Sequence, residues 1–195
     1  METLLTFDYQ LFDLINGQFY HAFLDAIMPF WRSKYFWAPL YLFGIMFIGL
    51  NYRKQAPYIL VFLLLAIILS DQVSSGLIKP LVNRLRPCNQ PGILEYVRLL
   101  IPCGSGKSFV SSHATNHFAV ATYIALLFRG QYTWLHPLAL FWAASISYGQ
   151  IYVGVHYPLD IIGGAILGIF IGQIMAYIVR RLMPSFNTEQ TPSLA

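Results

Sequence analysis

The sequence predicts an all-α integral membrane protein, in which a bundle of about five transmembrane helices follows N-terminal interfacial amphipathic helices. Two observations carry this prediction. Of the 195 residues, 57% are hydrophobic and only 10% are charged, whereas soluble domains average about 25% charged residues. Apolar runs that could cross a bilayer recur along the chain, with basic residues at their ends.

The N-terminal segment, residues 4–31, is predicted to lie in the membrane interface rather than to cross it. Asn16-Gly17 interrupts the segment, and acidic residues are scattered along it. Apolar side chains recur at helical spacing, with the acids elsewhere around the helix: Leu5, Tyr9, Phe12 and Ile15. Two short amphipathic helices fit this pattern.

The rest of the chain is predicted to form one membrane domain together with this segment. The predicted transmembrane helices cover residues 35–50, 57–79, 114–128, 138–155 and 158–179. A polar loop at residues 87–112 separates the second from the third, and residues 184–195 are predicted to be a disordered tail. Because five spans alternate in direction, the polar loop and residues 149–160 lie on the same membrane face.

The basic residues indicate which face is cytoplasmic. Arg53, Lys54, Arg129 and Arg180-Arg181 lie opposite the polar loop, and by the positive-inside rule that opposite face is the cytoplasm. The polar-loop face also carries cations: Lys79, Arg84, Arg86, Arg98 and Lys107. These charges need a different explanation, such as a bound anion.

Composition also restricts partners and processing. The net charge of +4 includes no basic run, which argues against nucleic-acid binding. The acidic N-terminus lacks a cleavage site, so the spans themselves are expected to target the chain. Cys88 and Cys103 fall in the same loop; they form a disulfide if it faces an oxidising compartment, and are otherwise two free thiols.

Three stretches on the polar-loop face contain the residues that could do chemistry. Lys79 and Arg86 are seven residues apart, and a helix through both would place them on one side. Ser111-Ser112-His113 opens the third span, where backbone N–H groups and hydroxyls favour an anion. In the third stretch, Pro158 suits the first position of a helix. Asp160 would then lie in the first turn of that helix, within reach of the His156 ring.

Together these stretches predict phosphoryl-transfer chemistry. Cations and N–H and O–H donors can surround a tetrahedral oxyanion. A histidine whose tautomer is fixed by a carboxylate can attack phosphorus, as His156 and Asp160 would. A second histidine, His113, could protonate the leaving alkoxide. No part of this chemistry needs a metal or another cofactor.

At these residues the chain resembles the type 2 phosphatidic acid phosphatase superfamily, which also includes the vanadium haloperoxidases. The family signature is K-x6-RP, PSGH and SR-x5-H-x3-D. Its first part is intact as Lys79, Arg86 and Pro87. Its second part appears as residues 110–113, which keep the serine and the histidine, and its third part as Gly149-Gln150, His156 and Asp160. The resemblance covers roughly residues 55 to 182.

The resemblance implies roles for these residues. His156 is the expected nucleophile, Asp160 its orienting partner and His113 the general acid. The expected phosphate-binding residues are Lys79, Arg86, Ser111, Ser112 and Gln150. Residues 87–112 become the active-site loop of a helical bundle.

The departure from the signature is at position 150, where the family has an arginine and this chain has a neutral glutamine. Loss of a charge-assisted contact could cost several kcal/mol in the transition state. Arg84, Lys107 or Arg98 could supply the missing charge, and Lys107 is better placed than Arg84 because Arg84 points elsewhere on a regular helix.

Two further patterns have structural alternatives. His117 follows His113 by four residues, a spacing that can bind a metal, but no third ligand is obvious and no metal is expected. Gly164, Gly168 and Gly172 recur every four residues in the fifth span. They allow close helix packing, either within the chain or in a homodimer.

The resemblance implies an integral phosphatase of the bacterial inner membrane, with its active site on the extracytoplasmic face. Its substrate would be a lipid phosphate or diphosphate, such as phosphatidic acid, phosphatidylglycerophosphate or undecaprenyl diphosphate. The terminal phosphate would leave through a phosphohistidine, without a metal. Gln150 motivates an alternative, a catalytically weakened protein that binds or transports lipid phosphates.

Overall fold

A computed structural model of the protein describes residues 2–183, and all regular structure in that range is helical. The α-helices are α1 (Glu2–Asp13), α2 (Ala22–Trp31), α3 (Ala38–Asn51), α4 (Ala56–Asp71), α5 (Lys79–Val82), α6 (Ser112–Leu127), α7 (Leu135–Tyr152) and α8 (Pro158–Leu182). The prediction of an all-α fold is confirmed for this range. The predicted tail, residues 184–195, lies outside the described residues.

Several turns connect or extend these helices. A π-helical turn, Leu14–Gln18, extends α1, and a second one, Gln72–Ile78, joins α4 to α5. Single 3₁₀ turns form at Pro87–Asn89 and Leu94–Tyr96 in the polar loop. Pro57, Pro80 and Pro158 each lie in the first turn of a helix, where the missing N–H has no intrahelical acceptor.

Two continuous helical stretches are long and apolar enough to cross a bilayer, Ala56–Val82 with 27 residues and Pro158–Leu182 with 25. The other predicted spans fall on α3, α6 and α7, and a count of five spans stays a prediction. Large apolar side chains are exposed on the outer faces of α3 and α8, among them Phe43, Ile166 and Phe170. In water such a surface would be unfavourable, whereas in a bilayer it faces lipid.

Helix α6 lies at the centre of the bundle and packs against α4, α7 and α8. Its closest approach is to α8, where a Cβ atom on Gly168 would lie 2.3 Å from the carbonyl oxygen of Thr115. Cβ atoms on Gly164 and Gly172 would meet the carbonyl oxygens of Ser111 and Ala119 at 2.7 and 2.6 Å. The glycine pattern therefore serves packing within the chain.

The N-terminal helices dock onto the polar-loop end of the bundle. Tyr9 and Phe12 of α1 pack edge-to-face on the ring of Tyr157, at centroid distances of 5.2 and 5.4 Å. Asn16 is buried, and its side-chain amide donates to the carbonyl oxygens of Tyr152 and Arg98 at 2.7 and 2.9 Å. The position that we interpreted as a break between two helices is thus also an attachment point.

The active-site loop is closed covalently. Cys88 and Cys103 form a disulfide with a Cα–Cα distance of 6.0 Å, and both cysteines pack in a cluster around Tyr152 and Val153. Of the two alternatives for these cysteines, the structure has the disulfide. It holds the loop against the end of α7, next to the residues that form the site.

Candidate active site

The three chemically important stretches meet at one end of the bundle, around a cavity of about 330 Å³. The residues lining it are Arg32, Arg86, Ile101, Pro102, Gly104, His113, Gln150 and Val155. Two arginines, a histidine and an amide therefore share one small opening with apolar walls. Such a cavity favours an anionic group.

His156 lies in the turn between α7 and α8, immediately behind this cavity, and only 2% of its surface is exposed. Its Nδ1 is 3.3 Å from Oδ2 of Asp160, and its Nε2 is 3.3 Å from Nη1 of Arg86. A carboxylate can only accept, so Nδ1 carries the proton toward Asp160. The lone pair of Nε2 then points toward Arg86, at the cavity wall.

Burial lowers the pKa of His156 to about 4. The hydrogen bond and the charge of Asp160 oppose this effect, while the charges of Arg86 and Lys79 add to it. At neutral pH the imidazole is consequently neutral, which is the form that a nitrogen nucleophile needs.

Asp160 is completely buried and held by several donors. Its Oδ2 accepts the backbone N–H of Tyr157 at 2.9 Å and the hydroxyl of Ser108, and its Oδ1 accepts Nη1 of Arg84 at 2.9 Å. Pro158 starts α8, so Asp160 lies in the first turn, where the helix dipole also favours a carboxylate. These contacts fix the oxygen that faces His156.

Arg84 is held between two carboxylates, Asp160 and Asp8 of α1. Asp8 is 1% exposed, and its second oxygen accepts the backbone N–H of Leu159 at 2.8 Å. Burial raises the pKa of Asp8, although Arg84 and the Leu159 N–H oppose this shift. Asp8 therefore faces the bundle and supports the start of α8.

Lys79 and Arg86 are brought together by a turn and not by a helix, so the prediction that they share one side of a helix is wrong. Helix α5 ends at Val82, and Asn83 has a left-handed φ of 56° that redirects the chain. Arg86 has extended backbone, and its guanidinium donates to the carbonyl oxygens of Gly106 and Val155. Lys79 remains close enough to interact electrostatically with Arg86 and His156.

The start of α6 places Ser111, Ser112 and His113 at the site. The buried Ser111 caps the helix and accepts the N–H of Ala114 at 3.4 Å, so its own proton stays available to a ligand. The hydroxyl of Ser112 lies 2.8 and 3.0 Å from those of Ser75 and Ser74. His113 lines the cavity itself.

His117 has a structural environment. Its Nε2 is 3.2 Å from the hydroxyl of Tyr41, and its Nδ1 is 2.7 Å from the carbonyl oxygen of His113. Its ring also packs on Trp142 at a centroid distance of 5.1 Å. Because both ring nitrogens have partners, the spacing of His113 and His117 is explained by helix packing.

A cation that contacts Gln150 is Arg32, which was not among the expected candidates, and the role of Lys107 stays a prediction. Nε of Arg32 donates to Oε1 of Gln150 at 3.0 Å, and both residues line the cavity. Arg84 is instead engaged by Asp8 and Asp160. Sequence reasoning missed Arg32 because 118 residues separate it from Gln150 and it resembled an ordinary interfacial cation.

The fold and the site are those of a helical membrane phosphatase: apolar helices surround a buried histidine–aspartate pair at a cavity rich in cations. Residues 59–184 match the sequence profile of the PAP2 superfamily. The chain belongs to this superfamily, and the resemblance drawn from the three motifs is confirmed.

Curated relatives cover most of the chain. A lipid A 4'-phosphatase of Bacteroides thetaiotaomicron is 34% identical over 97% of this chain and 84% of its own length. An undecaprenyl-diphosphatase of Sulfolobus acidocaldarius is 31% identical over 88% of this chain and 78% of its own length. The crystal structure of Aquifex aeolicus LpxE superimposes with a TM-score of 0.66 at 28% identity, covering 87% of this chain and 94% of that one.

Proposed function

We propose that this PAP2-superfamily enzyme hydrolyses the terminal phosphate of a membrane lipid phosphate or diphosphate through a phosphohistidine at His156. One observation carries the proposal. A neutral, buried His156 is oriented by Asp160, and its Nε2 faces the wall of a cavity that Arg32 and Arg86 line. That the chain is a lipid phosphatase is supported by its membership of the PAP2 superfamily and by its relatives.

The first chemical step forms a P–N bond. Nε2 of His156 attacks phosphorus while the bond from phosphorus to the leaving oxygen breaks; this oxygen belongs to a lipid alkoxide or, in a diphosphate, to the lipid monophosphate. Protonated His113 gives its proton to that oxygen. Burial and nearby cations, among them Arg32 and Lys79, lower the pKa of His113 to about 3, and a bound phosphate dianion would raise it by neutralising those cations. Positive charge that develops on the imidazole is stabilised by Asp160 through the Nδ1 proton. Arg86 and Lys79 neutralise charge on the transferring phosphoryl group.

The second step releases phosphate. His113, now neutral, accepts a proton from water, whose oxygen attacks phosphorus as the P–N bond breaks. The electron pair returns to Nε2 and regenerates the neutral histidine. Ser111 and Ser112 donate to the phosphoryl oxygens from the start of α6, where backbone N–H groups also favour the anion.

Among the substrates, we place lipid A-type sugar phosphates first and polyprenyl diphosphates second. The relative that covers 97% of this chain is a lipid A 4'-phosphatase, and an undecaprenyl-diphosphatase also covers most of it. The apolar outer surface lets the acyl or prenyl chains stay in the bilayer while the headgroup enters the cavity. Phosphatidic acid and phosphatidylglycerophosphate remain substrates to test.

The cavity is proposed to open on the extracytoplasmic side of a bacterial inner membrane that the chain crosses five times. The disulfide between Cys88 and Cys103 at the same end supports this orientation, because disulfides persist in oxidising compartments. The cluster Arg53, Lys54, Arg129 and Arg180-Arg181 at the other end fits a cytoplasmic face.

The alternative of a weakened binding or transport protein loses its main support. It was based on the neutral residue at position 150, and the structure brings Arg32 into contact with that residue. Arg32 and Arg86 both line the cavity. A site with an arginine at position 150 together with Arg86 would have the same two guanidinium groups.

The proposal is tested on purified full-length protein in mixed micelles. Lipid A, undecaprenyl diphosphate, phosphatidic acid and phosphatidylglycerophosphate are each supplied, and released phosphate is measured with and without EDTA. We expect release from at least one lipid, unchanged by EDTA. Retained lipid binding without release of phosphate from any of them would identify the binding protein instead.

The phosphohistidine is tested separately. The preferred substrate is radiolabelled in its terminal phosphate, the reaction is quenched in alkali, and the labelled protein is then exposed to acid. We expect label that survives alkali and is lost in acid, as a P–N bond requires, and none on a His156→Ala variant. Label that survives acid, or that remains on the variant, contradicts the proposed nucleophile.

A further inference from the structure

Gln150 is buried in a way that leaves half of its amide without a partner. It is 1% exposed, its Oε1 accepts Nε of Arg32, and its Nε2 has no hydrogen-bond partner among the described residues. Gln150 is also one of the residues that line the cavity. A buried amide donor without a partner costs about 1–3 kcal/mol unless a ligand accepts from it.

Arg32 lies near Arg86, and among the described residues it has no acidic partner. Among the residues that the structure describes, no carboxylate oxygen comes within 4.0 Å of either guanidinium, although both line one cavity. Burial and the charge of Arg86 both lower the pKa of Arg32. Two half-buried like charges are unfavourable together, and a dianionic phosphate between them would remove that cost.

The local sequence of α7 makes room for Arg32. A Cβ atom on Gly149 would lie 3.3 Å from Cβ of Arg32 and 3.6 Å from Sδ of Met28, so the glycine allows α2 to approach closely. Oε1 of Gln150 accepts Nε of Arg32, which leaves the two Nη groups for another acceptor. Gln150 has no guanidinium itself, but it binds the guanidinium of Arg32.

We propose that Arg32 is a phosphate-binding catalytic residue, and that Gln150 positions it. This inference rests on the proposed function. It also places part of the active site outside the segment that defines the family, since the profile match covers residues 59–184 only. The end of α2 therefore completes the site in this chain, and a residue that looked interfacial contacts the transferring phosphoryl group.

The first test is Arg32→Gln, with Lys34→Gln as the matched control, because Lys34 is an exposed cation two residues away. Hydrolysis of lipid A and phosphatidic acid and binding of inorganic phosphate are measured. We expect Arg32→Gln to lower kcat/KM by about 10²- to 10³-fold, mainly in kcat, and to weaken phosphate binding. Lys34→Gln should stay within about twofold of the wild type.

The second test separates a missing charge from a damaged fold. In Arg32→Ala, millimolar guanidinium should restore part of the activity, and it should not restore His156→Ala. The exchange variant Arg32→Gln with Gln150→Arg returns a guanidinium to the same cavity. We expect it to exceed Arg32→Gln at least about tenfold, since the charge is regained from α7.

The outcomes distinguish this inference from the proposed function. Wild-type kcat/KM and phosphate affinity in Arg32→Gln would overturn the role of Arg32 and leave the phosphatase proposal intact. A wild-type protein that releases no phosphate, but binds inorganic phosphate more weakly after Arg32→Gln, would overturn the phosphatase and support Arg32. If Arg32→Gln and Arg32→Ala do not fold, the exchange variant with Arg32→Gln and Gln150→Arg is used instead. If this variant folds but its activity is below about one thousandth of wild type, the inference is contradicted.

Discussion

Arg84 and Arg32 both contact residues of the active site, yet their surroundings are opposite. Arg84 donates to Asp8 and Asp160, and its guanidinium carbon lies 4.0 Å from the ring centre of Tyr157. Arg32 has a neutral amide as its hydrogen-bond partner and Arg86 as its charged neighbour. One arginine is neutralised within the fold, whereas the other keeps its charge for a ligand.

This difference shows that the role of a cation depends on its partners. An arginine between two buried carboxylates stabilises the folded state and orients Asp160. An arginine without an acid nearby has an unneutralised charge, which is unfavourable in the free protein. Bound phosphate neutralises this charge, so the interaction strengthens phosphate binding. Substitutions at the two positions should therefore affect different measured quantities, and the predictions below test this from the largest expected effect to the smallest.

Replacement of His156 should have the largest effect on kcat. In His156→Ala the nucleophile is lost, and we expect kcat to fall by about 10⁴-fold or more while inorganic phosphate still binds. The measurement is phosphate release under saturating lipid. His136→Ala removes an exposed histidine of α7 and should leave kcat unchanged. Substantial turnover in His156→Ala would show that His156 is not the nucleophile.

The sharpest contrast is between Arg84→Gln and Arg32→Gln. Loss of Arg84 leaves Asp8 and Asp160 buried without their cation, and should lower the free energy of unfolding by about 3 kcal/mol. Loss of Arg32 removes repulsion from Arg86, so stability should change by less than about 1 kcal/mol while activity falls. Thermal unfolding in detergent and kcat/KM are measured on both. Equal destabilisation of the two variants would contradict the division of roles.

The pH dependence of kcat/KM should report His156. The pKa of His156 is about 4, so protonation removes the nucleophile only below roughly pH 5. Above this acid limb kcat/KM should level off, and it should fall at higher pH as His113 loses the proton that it gives to the leaving oxygen. Asp160 raises this pKa, so Asp160→Asn should lower the plateau and move the acid limb to lower pH. Arg32→Gln should lower the plateau without moving the limb, and a shifted limb in that variant would contradict a direct role at phosphate.

The same shift makes a prediction about stability. The folded-state pKa of His156 lies below the value of about 6.5 in an unfolded chain, so protons bind preferentially to the unfolded state. Stability should therefore fall as the pH drops from about 6.5 toward 4. His156→Gln should flatten this part of the curve of unfolding temperature against pH. An unchanged curve would show that other groups control it.

The smallest effect on turnover is expected from the disulfide. Cys88→Ser with Cys103→Ser opens a loop with a sequence separation of 15, and should lower stability by up to about 3 kcal/mol. Arg86 donates to Gly106 near this loop, so kcat/KM should fall only several-fold. Unfolding temperature and kcat/KM are compared in oxidised and reduced wild type. No change in either quantity would show that the loop is held without the disulfide.

The parts of this molecule that depend on local sequence were predictable. Composition indicates the helical membrane fold, and Pro158 with Asp160 indicates the start of α8 because both effects act within one helical turn. The three motifs place His156, Asp160 and His113 on one face because consecutive spans alternate in direction. These inferences need only interactions between residues close in sequence and the predicted number of spans.

The support of the site was not predictable in the same way. Asp8 looked like one of several acids on an amphipathic helix, and Arg32 like a flanking cation. Their contacts cross 76 residues to Arg84 and 118 residues to Gln150, and nothing local encodes them. The helical spacing of Lys79 and Arg86 was also misleading, because Asn83 ends the helix with a left-handed residue. Only tertiary packing decides which charges meet.

The contact between Asp8 and Leu159 has a consequence for biosynthesis. The two residues are separated by 151 positions, so α1 cannot find this partner until the start of α8 has been synthesised. Until then Asp8 has neither the Leu159 N–H nor the completed Arg84–Asp160 pair beside it. The contacts that hold Asp160 are therefore completed only after the start of α8 has reached Arg84 and Asp8.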